Sequence, residues 1–275
     1  MDRCNLPQTQ KSRKILPWFV GILSVIVISS GIFALQQTTG GESIPTKTNM
    51  EMVFVPAGEF LMGDDDLDRN MRPQHKVYLD AYWIDQTEVT NKQYRTCIMD
   101  GGCRGDEPTH YVYDDSKEDH PVVYVTWQNA YDFCDWAGKT LPTEAQWEKA
   151  ARGTEGIKFP WGNSTPTLSH GNFDQYAEGT KPVGSYSLGA SPYGALDMAG
   201  NVFEWTKDWY QWDYYKESPY RNPQGPADGF ARVKRGGAWG SFFNSSEFIL
   251  RTGFRKYTGS EKSYHLGFRC VYEVK

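Results

Sequence analysis

The stretch GALDMAGNVFEWTKDWY, residues 194–210, holds two carboxylates, Asp197 and Glu204, on either side of a glycine-containing run. Calcium binds six to eight hard oxygen atoms, which proteins supply from carboxylates and backbone carbonyls. A non-helical run can direct the carbonyls of Gly200 and Val202 into the same space as both side chains. Taken by themselves, these residues fit either a calcium loop or two ordinary polar loop positions.

Helices are predicted only before this stretch. Three segments begin with a threonine that can cap a helix, two of them with a glutamine three residues later that completes a capping box. The predicted helices cover residues 90–99, 126–138 and 143–153.

The strand signals are short and irregular. EMVFVPAGEFLMG, residues 51–63, alternates around Pro56-Ala57-Gly58 and predicts a hairpin, and VYLDAYWID, residues 77–85, predicts a strand pair or a bent strand. Residues 154–275 are rich in glycine, proline and aromatic residues and end in a predicted strand, FRCVYEV. The pattern indicates a loop-rich α+β domain that is neither doubly wound nor a sandwich.

The N-terminus carries an uncharged run of 21 residues, ILPWFVGILSVIVISSGIFAL, at residues 15–35. This length can span a bilayer as a helix, and the basic residues before it predict a cytoplasmic tail at residues 1–14. A cleaved signal peptide is the alternative, but the run is longer than a usual signal core and its end is a poor cleavage site. We predict a retained single-pass anchor in the cell membrane, with the domain on the extracytoplasmic side.

Residues 36–49 are polar, contain glycine and proline, and are predicted to be a linker to a domain at residues 50–275. Residues 1–35 hold four of the 29 basic and one of the 34 acidic residues, which leaves 25 basic against 33 acidic beyond them, a charge of −8. An acidic domain argues against a nucleic-acid partner.

Cysteine usage agrees with an oxidising compartment. Cys4 precedes the apolar run, and the other four cysteines allow three pairings. The segment CIMDGGC can close locally between Cys97 and Cys103, because Gly101-Gly102 lets the backbone turn, and this leaves Cys134 to pair with Cys270.

Seven segments occur in one order along residues 50–273 and together resemble the formylglycine-generating enzyme, or sulfatase-modifying factor, family. They are MVFVPAGEFLMG, DQTEVTNKQY, HPVVYVTWQNAYDFCDWAGKTLPTEAQWEKAARG, FPWGN, GALDMAGNVFEWTKDWY, RGGAWG and LGFRC. The resemblance implies an irregular α+β fold related to C-type lectins, with bound calcium and a structural disulfide between Cys134 and Cys270.

The resemblance also locates the catalytic positions of the family. Its catalytic members carry two cysteines, five positions apart after RGG, which bind copper and oxidise a cysteine of a sulfatase to formylglycine. The matching residues here are Ser241 and Ser246. Copper(I) needs soft thiolate ligands that a hydroxyl cannot replace, so we predict that no residue is catalytic and that these serines mark absent chemistry.

For the calcium site, the resemblance favours the first of the two interpretations. The family's calcium ligands match Asp197, Gly200, Val202 and Glu204. A second family site begins at Asn172 and the Phe173 carbonyl, but its downstream acidic ligand has no clear counterpart in this sequence.

The aromatic segment EWTKDWYQWDYYKESPYRNP, residues 204–223, fits both a core and a binding surface. Trp205 and Trp209 match family core positions, whereas Trp212, Tyr214 and Tyr215 fit either role.

Three functional classes follow. The first, which we predict, is a membrane-anchored, non-catalytic binding or scaffolding module that belongs to an envelope or membrane complex. The second is an oxidoreductase of the formylglycine-generating type that acts on sulfatases. The third is a calcium-dependent carbohydrate-binding protein, so the expected partner is a protein or a glycan of the envelope.

Overall fold

Three α-helices form where the sequence predicts them, in a computed structural model that describes residues 47–48, 50–105, 110–173, 177–240, 247–259 and 262–274. They are α1 (Asn91–Met99), α2 (Trp127–Trp136) and α3 (Glu144–Arg152). Each begins with a capping box in which the threonine accepts from the backbone N–H three residues on, and the side chain of that residue accepts from the threonine N–H.

Beyond α3, the described residues contain strands, 3-10 turns and loops, and no α-helix. The anchor predicted at residues 15–35 and Cys4, Ser241 and Ser246 lie outside the described residues. Among the described residues, no helix combines the length and apolar character that a membrane crossing requires.

Nine short strands complete the described architecture. They are β1 (Met52–Val55), β2 (Gly58–Met62), β3 (His75–Leu79), β4 (Tyr82–Asp85), β5 (Phe203–Trp209), β6 (Arg232–Arg235), β7 (Lys256–Thr258), β8 (Leu266–Gly267) and β9 (Val271–Glu273). They form a three-stranded sheet in the order β1-β4-β9, a pair β2-β3, and a four-stranded sheet in the order β7-β6-β5-β8. The α+β, loop-rich character predicted from the sequence is confirmed.

The hairpin predicted at residues 51–63 is wrong. β1 pairs antiparallel with β4, and β2 pairs antiparallel with β3, so Pro56-Ala57 carries the chain from one sheet to another. Alternation identifies a strand but not its partner. The partners are set by packing across the ladder, as where Phe54 lies opposite Trp83 with ring centroids 5.1 Å apart.

The core contains charged side chains as well as apolar ones. Glu144 and Glu148 of α3 are fully buried and pair with Arg235 and Arg255, at 2.6 Å from Arg235 Nη2 to Glu148 Oε2 and 2.7 Å from Arg255 Nη2 to Glu144 Oε2. Buried charges are tolerated when they are paired and hydrogen-bonded. The network fixes α3 against the segment that begins RGG.

Both predicted disulfides are present in the structure. Cys97–Cys103 closes the turn after α1, and Cys134–Cys270 joins α2 to the segment before β9. The short turn depends on Gly102, because a Cβ there would lie 2.2 Å from the Trp136 ring.

Candidate functional site

The loop before β5 adopts a backbone that few residues tolerate. Asp197 and Asn201 both have a φ of 57°, and Gly200 has a φ of 95°. A Cβ on Gly200 would lie 2.7 Å from the carbonyl oxygen of Asn172, so glycine is required there. The Gly200 N–H donates to the Gly236 carbonyl at 2.8 Å, which ties this loop to the RGG segment.

Glu204 is the first carboxylate that this loop brings into the interior. Its side chain is fully buried and accepts a bidentate pair of hydrogen bonds from Arg269, at 2.7 Å from Nε and 2.8 Å from Nη2. The indole N–H of Trp147 donates to the same carboxylate at 2.8 Å. Glu204 is therefore rigidly held and already shares its charge with one guanidinium.

Asp197 is the second carboxylate, and Glu88, which the sequence analysis missed, is the third. Asp197 accepts from the Gly184 N–H at 2.6 Å, and burial raises its pKa. Glu88 is fully buried, and neither of its carboxylate oxygens has a hydrogen-bond donor among the described residues. Burial, followed by the charges of Asp197 and Glu204, raises the pKa of Glu88 well above its usual range.

The three carboxylates face one guanidinium, that of Arg269. If all three were ionised, two negative charges would be left without a partner in a buried space. The raised pKa of Glu88 and its side-chain hydrogen bond with Asp197 indicate that a proton on Glu88 relieves this excess, and a divalent cation could take the place of that proton. Glu88 stands in the segment DQTEVTNKQY, two residues before the cap of α1. Sequence alone could have marked it only as an acid next to a strand end.

A metal site built of side chains alone is absent from the described part of the chain, which has no cluster of three or more His, Cys, Asp or Glu residues placed to hold an ion. A calcium ion here would therefore need backbone carbonyls, as the sequence analysis expects of Gly200 and Val202. Hard oxygens of mixed origin are the usual calcium ligands.

Asn172, expected to begin a second calcium site, lies in a network of amides. Its Nδ2 donates to the Gly179 carbonyl at 3.0 Å and to Asn201 Oδ1 at 3.2 Å. Phe173 is buried and its ring lies 6.4 Å from that of Trp161. These contacts bring Asn172 and Phe173 close to the first loop but place no carboxylate beside them in the described residues.

A pocket of about 270 Å³, here called the Trp239 pocket, lies next to the segment that contains Ser241 and Ser246 in the sequence. Its mostly apolar lining includes Trp239, Tyr264, His265, Tyr111, His120 and Val123. The Trp239 ring stacks on His265 at 4.2 Å, and the Tyr111 ring meets Tyr264 edge-on at 6.0 Å.

The two histidines of this pocket favour the neutral form. Burial, followed by the charge of Lys117, lowers the pKa of His120, whose Nδ1 lies 2.9 Å from Thr180 Oγ1. Burial, followed by the charge of Lys234, lowers the pKa of His265.

The aromatic segment at residues 204–223 divides between core and surface. Trp205 is fully buried and Trp209 is half-buried beneath the guanidinium of Arg232, which lies 3.4 Å from its ring. Tyr214 and Tyr215 are buried, so they belong to the core, whereas Trp212 is 55% exposed and remains available for binding.

The irregular α+β architecture and a glycine-dependent acidic loop beside an RGG segment define a formylglycine-generating-enzyme-like domain. Residues 39–274 match the sulfatase-modifying factor enzyme 1-like domain, and the chain belongs to this family.

Among its relatives, the serine/threonine-protein kinase pkn1 of Chlamydia caviae is 38% identical over 247 residues, which cover 82% of this chain and 38% of the kinase. The chain thus spans about two-fifths of the length of the kinase relatives it matches. The formylglycine-generating enzyme of Bos taurus is 31% identical, over 84% of this chain and 76% of that protein. The structure of PvdO from Pseudomonas aeruginosa is similar with a TM-score of 0.68 and 25% identity, covering 82% of this chain and 95% of PvdO.

Proposed function

We propose that this protein is a membrane-anchored, extracytoplasmic and non-catalytic member of the family, which acts as a binding or scaffolding module in an envelope or membrane complex. One observation carries the proposal. All four cysteines of the described residues are joined in disulfides, at Cys97–Cys103 and Cys134–Cys270, and the two positions that match the family's copper ligands are serines.

The chemical reason is the ligand preference of copper. A disulfide sulfur is not a thiolate, and a serine hydroxyl is a hard and weakly acidic ligand. Conversion of a thiol to formylglycine with oxygen therefore has no metal-binding pair to support it in this domain. The capped helices and the buried ion network stabilise the fold and need no catalytic pair.

Calcium is proposed as a structural ion at the acidic loop. The support is the buried Glu88 carboxyl beside Asp197, which receives no hydrogen bond from a donor among the described residues and whose raised pKa indicates a proton that a cation could replace. Its ligands would be Asp197 and Glu204 with the carbonyls of Gly200 and Val202, Glu88 would add negative charge nearby, and the ion would supply charge compensation rather than reactivity.

The catalytic part is tested by incubating the full chain with a cysteine-containing sulfatase peptide, copper and oxygen, and by following formylglycine by mass spectrometry. We expect no conversion. The matched control is the double variant Ser241→Cys/Ser246→Cys, which we expect to gain copper(I) binding if these positions correspond to the family's ligands. Conversion by the wild-type protein that Ser241→Ala abolishes would contradict the proposal.

The membrane part rests on residues 15–35 and is tested by N-terminal sequencing of the mature protein from native membranes. We expect the sequence to begin before the apolar run. A mature protein that begins after Ala34 would show that the run is a removed signal peptide.

A further inference from the structure

The wall of the Trp239 pocket contains a buried hydrogen-bond acceptor that is left over. Asn91 lines the pocket and is 1% exposed, and its Nδ2 donates to the carbonyls of Lys117 and His120 at 2.9 and 3.3 Å. Its Oδ1 is buried and has no donor among the described residues. A buried acceptor without a donor is unfavourable, so the wall favours a ligand that brings an N–H or O–H group to Asn91.

The charged groups of the lining do not select an ion. Among the described lining residues, the fixed charges are one of each sign, Lys117 and Glu178. An anion in the pocket would meet Glu178, and a cation would meet Lys117. A group that both donates and accepts hydrogen bonds can use both side chains, because the ammonium donates and the carboxylate accepts.

The two histidines of the lining also argue against a positively charged ligand. Burial, followed by the charge of Lys117, lowers the pKa of His120, and burial, followed by the charge of Lys234, lowers the pKa of His265. The same conditions that favour the neutral imidazole would disfavour an ammonium or guanidinium group beside it. The donor that Asn91 lacks is therefore best supplied by an uncharged group.

The aromatic walls favour a ligand with an apolar face. The Trp239 indole N–H donates to the Tyr264 carbonyl at 3.3 Å, and its ring stacks on His265 at 4.2 Å. The Tyr264 ring lies 4.9 Å from that of Tyr124 and 6.0 Å from that of Tyr111. These contacts hold the rings in place, and the electron-rich face of an aromatic ring attracts C–H groups.

A saccharide ring combines these properties. It is uncharged, it carries C–H groups on its faces, and its several hydroxyls both donate and accept hydrogen bonds. A tyrosine or tryptophan side chain of a protein partner also has a flat face but offers one polar group only. The volume of about 270 Å³ lies just below the range of roughly 300–1,000 Å³ for pockets that enclose a whole small-molecule ligand, so the pocket suits one unit of a longer glycan.

We propose that the Trp239 pocket binds one uncharged saccharide unit of a glycan, with its C–H face against the aromatic walls and a hydroxyl that donates to Asn91 Oδ1. This inference rests on the proposed function as a binding module and names the class of ligand that the module recognises.

The test is a screen of the full chain in lipid nanodiscs against immobilised neutral, anionic and amine-bearing glycans, followed by calorimetry with the best glycan. We expect neutral glycans to bind. One monodeoxy analogue of the best glycan should bind about tenfold more weakly, because it leaves Asn91 Oδ1 unpaired.

Two variants locate the binding site in this pocket. Trp239→Ala should weaken the best glycan roughly tenfold or more, and Glu178→Leu should weaken it about fivefold, since it removes one acceptor for a hydroxyl. The matched control is Glu217→Leu, the same change at an exposed position outside the pocket lining, which should leave the affinity unchanged. Glu178 is itself exposed, so its variant keeps the test valid if Trp239→Ala fails to fold.

A preference for anionic or amine-bearing glycans, or binding to none, would overturn the inference. So would a complete deoxy series without loss of affinity, or neutral glycans that bind Trp239→Ala and Glu178→Leu as tightly as the wild type. A failure to bind glycans leaves the non-catalytic binding module in place, whereas turnover of a sulfatase peptide would remove that proposed function, so the two failures are distinguishable.

Discussion

A single side chain, Glu88, gives the clearest test of the calcium site. Calcium stabilises the folded protein by mass action, by about 2.7 kcal/mol at a concentration 100-fold above its Kd, so a chelator should lower the melting temperature of the wild type. Glu88→Gln removes a buried carboxyl that can ionise when calcium binds. It should lose most of its response to calcium, as measured by calorimetry.

Glu217→Gln, at an exposed position, is the control and should keep the wild-type response. If the wild type melts at the same temperature with chelator and with added calcium, the site does not exist.

A second residue predicts how stability depends on pH. Burial and the charge of Glu144 raise the pKa of Asp208 to about 7, against roughly 3.9 in the unfolded chain. The folded state therefore holds this proton more tightly, and the associated stability is complete below about pH 4 and lost as the pH rises through 7. The slope from this group is up to about 1.4 kcal/mol per pH unit.

Asp208→Asn should remove this slope, because an amide does not titrate and its Oδ1 can still accept the Glu144 N–H, which donates to Asp208 at 2.7 Å. Urea unfolding of both proteins between pH 4 and 8 is the measurement. Parallel pH curves for the two proteins would refute the assignment.

At the scale of one element, α3 depends on its cap because the whole helix is buried. Thr143 Oγ1 accepts the Gln146 N–H at 3.1 Å, and the Thr143 N–H donates to Gln146 Oε1 at 2.8 Å. Thr143→Ala should lower the free energy of unfolding by about 1 kcal/mol, measured by urea denaturation. Thr143→Ser keeps the hydroxyl and should lose much less; equal losses would mean that the cap is not what stabilises α3.

The helices could be predicted from the sequence, whereas the pairing of the strands could not. The three helices were predictable because Thr90, Thr126 and Thr143 each signal a start locally. The partners of β1 and β2 were not, because pairing is decided by residues far along the chain. Glu88 was missed for the same reason, since its neighbours Asp197 and Glu204 lie more than a hundred residues away.

At the scale of the whole molecule, the two disulfides should differ in how much they contribute to the free energy of unfolding. Cys134–Cys270 spans 136 residues and Cys97–Cys103 spans six, so the chain-entropy relation gives about 5 against about 2 kcal/mol. Cys134→Ala/Cys270→Ala should therefore lower the urea midpoint more than Cys97→Ala/Cys103→Ala does. A larger loss for the short loop would contradict the prediction.

The position of β9 near the C-terminus affects how the domain folds while it is being synthesised. β9 pairs with β4, and just before it Arg269 holds Glu204 and the Cys270 N–H donates to Asp85 at 2.8 Å. The ribosome synthesises these partners long before residue 269. The first sheet therefore stays incomplete until almost the whole chain has been synthesised. Such late closure leaves strand edges exposed in the nascent chain. A nascent chain that stalls before Leu266 should consequently depend on chaperones and be an early target of proteases.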